Sequence, residues 1–201
     1  MRRQQKGFKT IEVVITLAIV IILGLVGLFV VKDRISKSNS NNKSENGKSA
    51  LLSGKVYDGA EGFKITPPAN WDTNINGNFG SLVVFSAPKP DTEAGNPFSA
   101  NITVRDAPLQ NSSLKEDLDE ALAGEKIEFT DFKLLDVSEQ KVGELPAYLS
   151  SISFTQSGYH LQGLQLITHK DNKVYVTTAT VLASTATKYA EATKASLLSF
   201  R

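Results

Sequence analysis

The feature that most restricts this chain is a run of nineteen uncharged, mostly aliphatic residues, from Val13 to Val31. Coiled as a helix at ~1.5 Å per residue it spans ~28 Å, close to the ~30 Å hydrocarbon core of a bilayer. A helix apolar on every face at that length needs either a very large protein around it or lipid. A chain of 201 residues does not supply the former. The run therefore predicts one transmembrane helix over residues 13–35. Arg2, Arg3, Lys6 and Lys9 precede it and put the N-terminus in the cytoplasm by the positive-inside rule. The rest of the chain is then expected outside the cytoplasmic membrane. The run is longer than a secretory signal's apolar region and lacks a small-residue cleavage site after it. With no cysteine in the chain, lipidation is closed as well, so the helix is expected to stay as an anchor.

Glu12 stands one position before the run. A carboxylate at a membrane edge is a functional expectation, because moving it deeper costs ~2.5–3.5 kcal/mol or more. The segment Lys6-Gly7-Phe8-Lys9-Thr10-Ile11-Glu12 resembles the class III signal of type IV prepilins and pseudopilins. The resemblance implies cleavage after Gly7 by a prepilin peptidase, a methylated Phe8 as the new N-terminus, and Glu12 as the fifth mature residue. It also implies that Glu12 neutralises the terminal amine of a neighbouring pilin-like subunit. Residues 1–12 are thus read as a basic leader with a prepilin-like motif.

Past Ile35 the helical pattern ends. Ser36 to Ser49 holds nine Ser or Asn among fourteen residues and nothing apolar, so no face exists to bury and residues 36–50 are expected to be a disordered linker. A flexible chain of that length reaches roughly 20 Å end to end. A tether of this kind suits a displayed domain better than a rigid filament shaft.

Charge divides at the same boundary. Residues 1–50 hold nine Lys/Arg against three Asp/Glu, a balance of +6, and residues 51–201 hold thirteen against eighteen, a balance of −5. An acidic globular part lacks the basic face that nucleic acid requires. The absence of cysteine excludes a disulfide scaffold, a thiolate metal site and a cysteine nucleophile.

Residues 51–201 are enough for one domain with its own core. Phe63 with Ile65, Leu82 to Phe85, and Ala100, Ile102 and Val104 read as short strands. Ala87 to Pro97, with three prolines, is expected to be loop. Ser113 followed by Glu116 makes a capping box, opening a helix whose apolar face is Leu114, Leu118, Ala121 and Leu122. Asp117, Asp119 and Glu120 on that helix read as a solvated acidic face. Four further strands are expected at Phe132–Val137, Pro146–Phe154, His160–His169 and Val174–Val181. Lys170-Asp171-Asn172-Lys173 turns the last two into a hairpin. A final helix from about Thr185 presents Ala186, Tyr189, Ala190, Thr193, Leu197 and Phe200 on one face. The fold class is α+β, a mostly antiparallel sheet covered by helices.

Several segments resemble PsbP-like domains: Gly62-Phe63-Lys64-Ile65-Thr66-Pro67-Pro68 with Trp71, Asp131 to Leu135, Gly143 to Tyr148, and Leu198-Ser199-Phe200. They run in order from about residue 62 to 201. The resemblance implies the PsbP-like α/β/α sandwich, with Pro67 and Trp71 closing the first hairpin and Gly143 in a turn. The family holds the extrinsic subunit of photosystem II and bacterial periplasmic proteins, which implies a binding module and no particular chemistry.

Residues of catalytic type do not assemble into a motif. His160 and His169 lie nine apart on one strand and so point to opposite faces. No serine sits in G-x-S-x-G, and no Gly-rich phosphate loop follows a strand. The aromatics Phe63, Trp71, Phe85, Phe132, Tyr148 and Phe154 read as core. Asn101 and Asn111 each open a glycosylation sequon, which a bacterial-type anchor leaves without meaning. No catalytic residue, metal ligand or cofactor is expected. The expected function is a single-pass, extracytoplasmic, non-catalytic binding or scaffolding domain whose partners are the bilayer and a further protein outside the cytoplasm. The alternative is a minor pilin or pseudopilin assembled by a type IV pilus or type II secretion-like system.

Overall fold

The computed structural model describes residues 51–75 and 80–201. Gly7, Phe8, Glu12, the span at 13–35 and the linker at 36–50 lie outside the described residues. No helix among the described residues is long and apolar enough to cross a membrane.

The described residues open with β1 (Tyr57–Asp58) against β2 (Lys64–Ile65), then β3 (Asp72–Asn74) and β4 (Val83–Ser86). A small hairpin follows, β5 (Asp91–Glu93) and β6 (Asn96–Phe98), and then β7 (Asn101–Pro108). Helix α1 (Leu114–Glu128) precedes four long strands: β8 (Thr130–Val142), β9 (Leu145–Gln156), β10 (Tyr159–Lys170) and β11 (Lys173–Leu182). A 3-10 turn (Ala183–Thr185) leads into α2 (Ala186–Leu198). One antiparallel sheet of seven strands, ordered β3-β4-β7-β11-β10-β9-β8, carries the domain. The last four strands are successive hairpins, so their neighbours in sequence are their neighbours in space.

Turn chemistry sets the registers. Asp171 and Asn172 take φ of 50° and 60° between the paired Lys170 and Lys173, the primed turn that matches strand twist. Gly143 sits at φ 59° between the paired Val142 and Leu145, in the turn expected of it.

Alternation along the strands gives the sheet two buried faces. On one, Leu166, Tyr175, Ala179, Ile102, Val104, Phe85 and Leu149 form a cluster with Phe63, Ile65, Leu197 and Phe200. On the other, Ile167, Val174 and Val176 pack under Leu118 and Ala121 of α1. A third cluster on that second face joins Phe98, Phe129, Ile152, Phe154, Leu161 and Leu182. Each face thus carries one helix, the α/β/α arrangement expected. Of the six aromatics expected in the core, Phe63, Phe85 and Phe154 are buried, while Trp71, Phe132 and Tyr148 are only half-buried.

The two ends of the domain are sewn together. Phe63 stacks on Phe200 with centroids 5.7 Å apart and planes at 5°, and Tyr175 tilts against both rings. Lys64 N–H donates to the Arg201 carbonyl (2.8 Å) and Arg201 N–H donates back to Lys64 (3.0 Å). Ser196 Oγ donates to the Thr66 carbonyl (2.8 Å), and Thr66 N–H donates to Ser199 Oγ (2.8 Å). Two of the segments that carry the family resemblance, one near each end of the domain, are therefore partners in one clasp. Trp71 packs edge-on against Tyr189 of α2, 5.9 Å between centroids, and Pro68 bridges Leu52. Trp71 thus seals the sheet against α2 rather than closing the β1–β2 hairpin alone.

Three expectations change. Ala87–Pro97 is not all loop, for β5 and β6 pair with Thr92 opposite Pro97. Glu93 and Asn96 close a two-residue turn, so Thr92 and Pro97 fall at a pair that exchanges no backbone hydrogen bonds. Proline there gives up nothing. Asp117 is not solvated but 4% exposed, because His169 and Asn111 reach its carboxylate. Ala190 is exposed, and Ser196 (0%) takes its place on the buried face of α2.

Candidate functional site

Four constellations of polar side chains stand out, and a groove lies beside one helix. The first is a row across the sheet under α1. Ser150, Gln165, Thr178 and Thr103 are direct cross-strand neighbours and face the helix. Gln165 Nε2 donates to Glu125 Oε1 at 2.7 Å and reaches Thr178 Oγ1 at 3.4 Å. Glu125 is 2% exposed. Burial pushes its carboxyl up to about 7, against the Gln165 hydrogen bond and with help from Glu128. Its Oε2, with Ser150 Oγ and Gln165 Oε1, has no hydrogen-bond partner. Arg105, 8% exposed, has its guanidinium pushed down to about 10 by burial, opposed by Glu128. Burial likewise raises Glu128, opposed by Arg105.

The second is Asp117, whose Oδ2 lies 2.5 Å from His169 Nε2 and whose Oδ1 accepts from Asn111 Nδ2 at 2.8 Å. Asn111 also donates to Glu120 Oε2 at 2.7 Å. The third is His160, whose Nδ1 sits 2.7 Å from Glu93 Oε1, tying β5 to the start of β10. The fourth is Asp91, which accepts from Thr185 Oγ1 (3.2 Å), Lys188 Nζ (2.7 Å) and Tyr189 OH (2.7 Å). Burial raises the Asp91 carboxyl, but these hydrogen bonds outweigh it and leave it below the usual range.

A carboxylate orienting a histidine is half of an acid–base relay. At His169 no hydroxyl of a described residue hydrogen-bonds the ring, so the pair acts as a tie between α1 and the end of β10. His160 and His169 fall on opposite faces of the sheet, as their spacing implies. Among the described residues no three metal-ligating side chains converge.

The groove runs between α2 and the sheet. Leu164, Ala179 and Val181 form its floor, Ala186, Ala190 and Thr193 its helical wall, and Ser151, Gln162 and Lys194 its rim; the cavity measures about 180 Å³. A second hollow of about 290 Å³ beside the start of α1 is bounded by Ser113, Lys115, Glu139 and Tyr148. Its polar groups are already engaged: Ser113 caps α1, Lys115 pairs with Asp119, and Tyr148 OH donates to Glu139 Oε1 at 3.3 Å. At the α2 groove, the side chains of Ser151, Gln162 and Lys194 hydrogen-bond to no described residue. Sequence reasoning missed it because a groove lined by alanine, valine and serine carries no motif. Glu125 was legible in principle, since it lies four positions after Ala121 and seven after Leu118 on the buried stripe of α1.

The sequence model of the PsbP-like protein family matches residues 13–196. The chain belongs to the PsbP-like protein family. The matched range reaches well upstream of the segments that carry the resemblance and leaves Gly7, Phe8 and Glu12 outside it. The fold of this PsbP-like chain is similar to the solution structure of cyanobacterial PsbP from Synechocystis sp. PCC 6803. That likeness has a TM-score of 0.52 at 12% identity and covers 79% of this chain and 97% of that one. It is also similar to the crystal structure of LpqN from Mycobacterium tuberculosis, with TM-score 0.53 and 14% identity over 69% of this chain and 82% of that one. At those identities the likeness is one of fold. No curated protein matches the chain.

Proposed function

We propose that this chain is a single-pass, membrane-anchored protein that holds a non-catalytic PsbP-like binding or scaffolding domain outside the cytoplasmic membrane. The observation that carries the reading is the reach of the family match. It opens at residue 13, so the apolar run, the tether and the domain are matched as one piece. Nineteen consecutive uncharged residues find a low free energy in lipid, and the Ser/Asn-rich tether lets the domain work within roughly 20 Å of the surface. The domain's polar clusters tie elements together, and its groove is open, which suits binding more than covalent chemistry. LpqN is described as involved in cell envelope biogenesis, and a domain tethered here would work at the same boundary. Membrane fractionation with alkaline carbonate washing tests the reading. The full-length chain stays with the membrane and is cut by protease added from outside; recovery in the soluble fraction refutes it.

A second reading is favoured by Glu12 at the edge of the run. In it, a prepilin peptidase cleaves after Gly7, and Phe8 and Glu12 seat the chain among pilin-like subunits. The mass of the mature N-terminus decides. A chain beginning at a methylated Phe8 supports this reading, and an intact leader removes it.

A further inference from the structure

We propose that the groove between α2 and the sheet binds a small monocarboxylate with a short apolar tail. The inference deepens the reading of the domain as a binding module and is independent of its anchor. Heptad spacing puts Ala186, Ala190 and Thr193 on one stripe of α2, yet Ala190 is exposed because nothing fills the space beneath it. Leu164, on the floor, is left half-buried. A leucine at position 190 would close the gap; an alanine leaves an apolar floor open to a ligand's tail. At about 180 Å³ the space is many times the roughly 10–15 Å³ that a single water needs, which leaves room for a short aliphatic tail.

The rim supplies the head-group chemistry. Lys194 follows Ala190 by one helical turn and has no ion-pair partner among the described residues. Lys55, Lys89, Lys126, Lys133 and Lys141 also lack an ion pair among the described residues, but Lys194 is the one lysine that lines the groove. Across the groove, the side chains of Ser151 and Gln162 hydrogen-bond to no described residue, leaving a hydroxyl and an amide N–H as donors. One cation with two neutral donors matches the single charge and two oxygens of a carboxylate. A phosphate dianion would need a second cation, and the −5 balance of residues 51–201 repels it. The lysine stem can lie along the apolar wall while its ammonium stays at the mouth.

The test uses the full-length chain in lipid nanodiscs with alanine methyl groups labelled, titrated with hexanoate or with hexanol, and empty nanodiscs as the blank. Hexanoate shifts the Ala179, Ala186 and Ala190 methyl resonances saturably, and hexanol binds about tenfold more weakly. Lys194→Gln, a surface change, weakens hexanoate about tenfold and abolishes its advantage over hexanol. Ala190→Leu removes the saturable shift of Ala179 and Ala186 while their spectrum stays dispersed. No saturable shift, an unchanged shift in Ala190→Leu, or equal binding of acid and alcohol each overturns the proposal. A chain that remains in the membrane with unmoved methyls loses the ligand and keeps the anchor.

Discussion

Glu125 makes the stability of the domain fall as pH rises. An ordinary glutamate titrates near 4.5 and this one near 7. Between those values the folded domain holds a proton that the unfolded chain has lost. Stability from this group is therefore fully present below 4.5, is lost through the interval to 7, and stays lost above it. The difference of about 2.5 units, at about 1.36 kcal/mol per unit, amounts to about 3 kcal/mol. That is an upper bound, because any relaxation that brings water to the carboxylate lessens the burial penalty. Glu125→Gln cannot ionise, and its amide offers donors beside Ser150 Oγ and Gln165 Oε1, both without partners. Urea unfolding of the full chain in lipid vesicles, followed by the fluorescence of Trp71, the only tryptophan, measures the effect. The native chain loses stability from pH 5 to pH 8, and Glu125→Gln loses up to about 2.5 kcal/mol less over the same interval. Equal pH slopes in the two proteins would refute the buried, protonated carboxyl.

Phe200→Ala removes the ring stacked on Phe63 and costs about 3–5 kcal/mol, read as a drop in urea midpoint. Asp91→Asn weakens the clamp on α2 by about 1–3 kcal/mol at neutral pH. Because the Asp91 carboxyl is held low, the native advantage over that variant is present above the ordinary carboxylate value and fades as pH drops through the folded one. Acid titration of both proteins checks it. A Cβ at Gly163 would come 2.8 Å from Ile152 Cγ1, so Gly163→Ala costs about 1–3 kcal/mol. Adding Ile152→Ala, which removes Cγ1, makes the added methyl at 163 less costly than in the native background; a double mutant no better than the sum of the two singles would show that the clash is not the cause.

What the sequence disclosed was local. Ser113 and Glu116 announced the start of α1 because a capping box satisfies its own donors within four residues, and both of its bonds are present. Asp171-Asn172 announced a hairpin because those residues tolerate positive φ. What stayed hidden depends on neighbours distant in the chain. Pro97 is accommodated by the position of its pair in a ladder, which composition does not display. Asp117 is drawn inside by His169, fifty-two positions away. Ala190 was placed on the buried stripe by period alone, but whether a stripe position meets a partner depends on what lies below it. The groove is the space left where that partner is missing.

The clasp between residues 62–66 and 196–201 has a consequence for how the protein is made. Phe63 stacks on Phe200, so this contact of the first strand pair waits for residues synthesised about 140 positions later. A chain still threaded through a ribosome lacks that second half. The clasp closes only once the last residues of the domain have emerged.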